Sequence, residues 1–144
     1  MQSEFASLVL PARIDSLAAF RQFVRVGAAS AGLDEPKMGW LDLVLEEILV
    51  NIARYAYQPG SGDAEVRYAV KEPGKLMVEI SDAGRVFNPL QSDPPVLGGA
   101  LSERPIGGLG VFLVKNLVES LSYRREQDRN KLSFTFPGPE MTEA

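Results

Sequence analysis

Apolar positions along the chain switch period several times, and each switch marks an element. "EFASLVL", residues 4 to 10, is dense in apolar residues and ends at Pro11, which predicts a first strand. "DSLAAFRQFVRVGAASAGL" follows with Leu17, Phe20, Phe23 and Val24 at helical spacing. Asp15 is its expected N-cap and Gly32 its stop. "DEPKMGWLDLVLEEILVNIARYAYQPG" predicts a second helix, with Asp34 as cap, Pro36 in the first turn and Pro59-Gly60 as stop. The pattern then alternates. Val66, Tyr68 and Val70 share one face, "EPGK" turns the chain, and Leu76, Val78 and Ile80 share the matching face. A long Gly- and Pro-rich segment, about Ala83 to Ile106, separates this hairpin from "GGLGVFLVKNLVES", an expected third helix that is apolar nearly all round. "LSYRREQDRNKLSFTF" closes the chain with a second hairpin in which Leu132, Phe134 and Phe136 alternate.

Hairpin connections exclude an all-parallel sheet. The expected fold class is an α/β (α+β) two-layer sandwich. It has a mixed, mostly antiparallel sheet of about five strands, with three helices on one face. Residues 1–137 form one domain, and 138–144 form a short tail expected to fray.

The second helix carries more than a core face. Leu41, Leu45, Ile48, Leu49, Ile52 and Ala56 gather on one side at about 100° per residue. Glu47, Asn51 and Arg54 fall on a separate line, at spacings that stack them along the helix. Glu46 points elsewhere. A solvated helix face accounts for charges, but asparagine is a mediocre helix former and an unusual choice for a purely solvated site.

Composition narrows the chemistry. The 144 residues suit one core, and 45% hydrophobic against 24% charged is an ordinary globular balance. Net charge is −4 and no Lys/Arg cluster occurs, which argues against direct nucleic-acid binding. No apolar run reaches membrane-span length. "MQSEFASLVLPARIDS" has no basic, then apolar, signal-peptide pattern, so a cytoplasmic location is expected. The sequence contains neither cysteine nor histidine. Acid–base work therefore falls to Asp, Glu, Lys or Tyr, and any metal would be a hard cation held by oxygen.

Three further features could carry chemistry. Asp82 continues the series Leu76, Val78, Ile80, so its carboxylate should face the core side at the end of the strand. It could equally be a turn-forming Asp before Gly84. Gly107, Gly108 and Gly110 open the third helix, where bare N–H groups suit phosphates. The same glycines could be a simple hinge. The segment before them is longer than structureless loops usually are and reads as a lid or an insertion.

In order, these features resemble the Bergerat ATPase domain shared by DNA gyrase, heat-shock chaperones, sensor histidine kinases and MutL. Its helical Glu-x-x-x-Asn corresponds to Glu47–Asn51, its Asp-x-Gly-x-x-Phe-x-Pro to "DAGRVFNP", and its glycine cluster to "GGLGVFLVKNLVES". The resemblance runs from about Leu8 to Phe136. It is strongest to the small anti-sigma-factor serine kinases, the RsbW and SpoIIAB group. A sensor histidine kinase would need a phosphoacceptor histidine, which is absent.

The resemblance implies roles residue by residue. Asp82 would accept a hydrogen bond from the adenine amino group of ATP, and Gly84 would let backbone approach the base. Asn51 would ligate Mg²⁺, and Glu47 would take the proton of the attacking serine hydroxyl. Gly107, Gly108, Leu109 and Gly110 would contact the phosphates, with Arg54 and then Arg104 as cationic candidates. Phe87 would complete the base pocket. The partners implied are a STAS-type anti-anti-sigma protein, a sigma factor and a second copy of the chain in a homodimer. One departure stands out: in "NIARYAY", Tyr55 occupies the place where the family often has histidine, so no cationic role is available there. The same boxes also fit a nucleotide-gated switch that sequesters partners without transferring phosphate.

Overall fold

The computed structural model describes residues 5–90 and 107–139. The expected strands are β1 (Ala6–Pro11), β2 (Asp63–Glu72), β3 (Lys75–Asp82), β4 (Glu119–Glu126) and β5 (Arg129–Phe136). The helices are α1 (Leu17–Ser30), α2 (Glu35–Tyr55) and α3 (Gly107–Leu117). The strands form one sheet in the order β1-β2-β3-β5-β4. Every pairing is antiparallel, so the sheet is not mixed as expected. β5 inserts between β3 and β4, and this places Asn130 directly across from Asp82.

The two-residue period decides which way each strand faces. Ala64, Val66, Leu76, Val78, Ile80, Leu132, Phe134 and Phe136 are buried together with the apolar sides of all three helices in one core. The opposite register carries charges, paired across strands as Arg67–Glu79, Arg124–Glu79 and Arg129–Glu65. The sheet thus has one face for the helices and one for solvent.

Helix α2 begins as the sequence predicts. Asp34 Oδ1 accepts the Lys37 N–H at 3.0 Å, satisfying one of the free donors of the first turn. Three expectations change. Asp15 does not cap α1: it lies in a 3-10 turn, Ile14–Ser16, and the helix starts at Leu17 without a side-chain cap. Helix α2 ends at Tyr55, before Pro59-Gly60. The third helix stops at Leu117 and β4 starts at Glu119, so "ES" belongs to the sheet. An apolar run cannot show this boundary, because helix and buried strand look alike without alternation. The tail begins docked, with the Gly138 N–H bonded to Leu117 O at 2.8 Å. Residues 140–144 lie outside the described residues. No helix of the described residues is long and apolar enough to cross a membrane.

Because the Asp34 cap anchors the helix that carries the candidate site, Asp34→Ala should lower unfolding free energy by about 1 kcal/mol. Urea denaturation followed by circular dichroism measures it, and an unchanged midpoint would contradict the capping role.

Candidate functional site

Two features on the helix side of the sheet define the site. The first is the outward stripe of α2. Leu45, Ile48, Leu49 and Ile52 are buried against the sheet, while Glu47 and Asn51 are half-buried beside them and Glu46 and Arg54 are exposed. Asn51 Nδ2 donates to Glu47 Oε2 at 3.0 Å and to Pro89 O at 2.8 Å. Both partners are pure acceptors, so the amide nitrogen must face them. Among the described residues nothing donates to Asn51 Oδ1. The amide oxygen is oriented and free, which is what an oxygen ligand to a hard cation requires. No cluster of three or more Asp, Glu, His or Cys that could hold a metal occurs among the described residues. A Mg²⁺ held here would take Asn51 Oδ1 and complete its shell from phosphate and water.

Glu47 is covered by the start of α3. A Cβ on Gly110 would overlap the Glu47 carboxylate, so any other residue there would push that carboxylate out of its present position. Burial raises the Glu47 carboxyl above its ordinary value, and the Asn51 hydrogen bond opposes the rise. A carboxylate displaced in that direction is a better proton acceptor. Arg54 makes no ion pair with Glu47; it acts on it only through space.

The second feature is Asp82 at the end of β3. It is 1% exposed, on the core-facing register that the sequence predicts. Its Oδ1 accepts from Gly84 N and from Asn130 Nδ2, each at 2.9 Å. Its Oδ2 is buried and has no hydrogen-bond partner among the described residues. An unpartnered buried acceptor is costly, and a ligand N–H would relieve it. Burial raises the Asp82 carboxyl, against the Asn130 and Gly84 hydrogen bonds and the nearby Arg129 and Arg125 charges. The turn reading of Asp82 holds at Oδ1, which accepts the Gly84 N–H, and Oδ2 is the oxygen left over for the ligand reading.

The chain between the two features holds them together. Arg85 N donates to Ala56 O at 2.9 Å, just past the end of α2. A Cβ on Gly84 would overlap that same carbonyl. The close approach that demands glycine at 84 in this structure is to the Ala56 carbonyl, just past the end of α2. Phe87 stacks at 5.8 Å on Tyr55 and lies under the Arg85 guanidinium at 5.4 Å. Tyr55, in the place of the family's histidine, thus has a packing role and remains 42% exposed. Pro89 O then reaches Asn51.

A cavity of about 430 Å³ opens on the other flank of this segment, between α3 and β4–β5, lined in part by Leu90, Val111, Tyr123 and Leu132. Asp82, Glu47 and Asn51 do not line it. Gly107 and Gly108 are in the first turn of α3 as expected. Arg104, the Leu109 side chain and the lid from 91 to 106 lie outside the described residues. Sequence reasoning missed Asn130, Tyr123 and Arg125. One signal was available: Asn130 is a polar residue on the inward register of Leu132, Phe134 and Phe136.

Comparison with known proteins agrees with this geometry. Residues 10–136 match the family described as "Histidine kinase-like ATPase domain". The serine/threonine-protein kinase BtrW of Bordetella bronchiseptica is 30% identical over 96 residues, 66% of this chain and 67% of that protein. The serine-protein kinase RsbW of Listeria monocytogenes is 28% identical over 120 residues, 80% of this chain and 76% of that protein. A crystal structure of the RsbU and RsbW domains of Rv1364c from Mycobacterium tuberculosis shares the fold. Its TM-score is 0.62 at 16% identity, over 93% of this chain and 32% of that one.

The Asp82 carboxyl sets a pH test. Its folded pKa is raised above the ordinary 3.8, so the folded protein binds this proton more tightly than the unfolded chain. Stability therefore falls as pH rises from 3.8 through the folded value, and the full penalty applies above it. Asp82→Asn should be more stable than the wild type at pH 7, and the advantage should shrink as pH falls through that window. Nucleotide-free melting curves against pH measure this; a constant difference would refute the assignment.

Proposed function

The chain belongs to the histidine kinase-like ATPase domain family, and we propose that it binds Mg·ATP and transfers the γ-phosphoryl group to a serine of a partner protein. The Glu47–Asn51 pair carries this reading. One turn apart, it offers a cation ligand of fixed orientation and a carboxylate of raised proton affinity. Asp82 Oδ2 supports the base end, as an acceptor for the adenine amino group.

Bound Mg²⁺ would neutralise charge on the phosphates in transfer. Glu47 accepts the serine proton as the hydroxyl oxygen bonds to the γ-phosphorus. The bond from that phosphorus to the β–γ bridging oxygen breaks, and ADP leaves with the electron pair. Asn51 fixes Glu47 through Nδ2, and Gly110 lets the start of α3 lie against the half-buried carboxylate. Arg54, exposed and without an ion pair among the described residues, would meet phosphate oxygens. Gly107, Gly108 and Gly110 offer backbone N–H groups in the first turn of α3. The relatives named as serine-protein kinases support protein rather than water as the acceptor. In this reading the substrate is a STAS-type anti-anti-sigma protein and the sequestered partner a sigma factor, and the family resemblance of the sequence further implies a cytoplasmic homodimer.

Radiolabelled Mg·ATP with candidate STAS-domain partners tests the reading. Glu47→Gln should lower phosphoserine formation by roughly 10²- to 10⁴-fold while ATP affinity stays within a few-fold. Transfer by this variant at the wild-type rate would sink Glu47 as the base. Tight ATP binding without transfer to any partner would favour the nucleotide-gated switch.

A further inference from the structure

We propose that Asn130 is a positioning residue for nucleobase selection: by occupying one oxygen of Asp82 it leaves the other as a pure acceptor, which admits an amino group and rejects a carbonyl. The inference rests on the reading of Asp82 as the base acceptor.

Asn130 is 2% exposed, opposite Asp82 on β3 and opposite Arg125 on β4. All its hydrogen-bonding capacity is in use. Nδ2 donates to Asp82 Oδ1 at 2.9 Å and to Arg85 O at 2.7 Å. Oδ1 accepts from Phe87 N at 3.0 Å, from Arg125 Nη1 at 3.2 Å and from the Tyr123 hydroxyl. Turning the amide over would set its NH₂ against the Phe87 and Arg125 N–H donors and its oxygen against two acceptors. The orientation is therefore locked, and donors from β4 and from the loop after β3 lock it.

The lock reaches Asp82. With Gly84 N and Asn130 Nδ2 both on Oδ1, that oxygen is saturated, and Oδ2 alone remains. The two donors also favour the ionised carboxylate against the pull of burial. An ionised Oδ2 can only accept. Adenine offers an amino N–H at its six-position; guanine and hypoxanthine offer a carbonyl oxygen there, which a carboxylate repels. If Asp82 held a proton on Oδ2 it would donate, and the preference would weaken or invert. Tyr123 bears on the base site through this one amide, whereas Arg125 also donates to Gly84 O at 2.8 Å and acts on Asp82 through space.

Equilibrium binding of ATP and GTP with Mg²⁺ from pH 5 to 8 tests the proposal on wild type, Asn130→Asp and Tyr123→Phe, with thermal melts run in parallel. Asn130→Asp keeps the size but puts a carboxylate against Asp82, and two facing carboxylates hold a proton between them. Its ATP affinity at pH 7 should fall roughly ten- to hundredfold, and the ATP-to-GTP ratio by a similar factor. The pH at which ATP binding is half lost should move up by about one unit or more. Tyr123→Phe removes a single donor to Asn130 and should lower the ratio by roughly two- to tenfold. It reports on the lock even where Asn130→Asp does not fold. A wild type that prefers ATP, with the ratio and pH midpoint unchanged in the folded variants, overturns the role of Asn130 alone. A wild type that binds neither nucleotide overturns the reading of Asp82 beneath it.

Discussion

A carboxylate buried at the end of a central strand is the constraint around which this structure is arranged. Asp82 stands on the core-facing register of β3, where its neighbours in the same series are Leu76, Val78 and Ile80. An ionised group in that position is tolerated only with hydrogen bonds to the charge. Gly84 N and Asn130 Nδ2 provide them on one side, and the positive charges of Arg125 and Arg129 act through space. Everything that holds Asn130 in place therefore also holds Asp82. The other oxygen is left without a partner among the described residues, and a buried acceptor in that state is costly until an N–H reaches it.

Helix α2 solves a related problem with different means. One of its sides is buried against the sheet, and the adjoining stripe carries Glu47 and Asn51 half out of water. The pair is self-supporting, because the asparagine donates to the glutamate and its own oxygen accepts from nothing among the described residues. Gly110 then brings α3 against the same carboxylate, and burial raises its proton affinity. Acid–base chemistry in a chain without histidine depends on such tuning, since an ordinary surface glutamate is a weak base at neutral pH. The segment from Gly84 to Pro89 ties the two halves together, bonded to Ala56 at one end and to Asn51 at the other.

Much of this was legible from periodicity and spacing. The alternation at Leu76–Val78–Ile80 placed Asp82 on the correct face, and the helical period separated Glu47 from Glu46 as the structure does. Errors fell where local pattern is silent. The apolar run after Gly107 could not reveal where helix gives way to strand at Glu119. Asp15 looked like a cap because its residue type permits one, yet a 3-10 turn intervenes. The crowding of Gly84 by Ala56 O had no signal in the sequence, since the two lie far apart along the chain. Tyr55 looked anomalous until Phe87 was found packed against it.

Sequence alone determined the fold class, the order of elements and which side chains share a face, because those follow from the two- and 3.6-residue periods of the backbone. It also determined the chemical types available: oxygen ligands for any metal, and Asp, Glu, Lys or Tyr for acid–base work. Only the tertiary structure decided which of these groups meet. The insertion of β5 between β3 and β4 set Asn130 across from Asp82 and brought Tyr123 and Arg125 to the same amide. The packing of α3 on α2 put Gly110 against Glu47. Hydrogen-bond saturation and desolvation are properties of a neighbourhood in space, so a pattern along the chain carries no record of them.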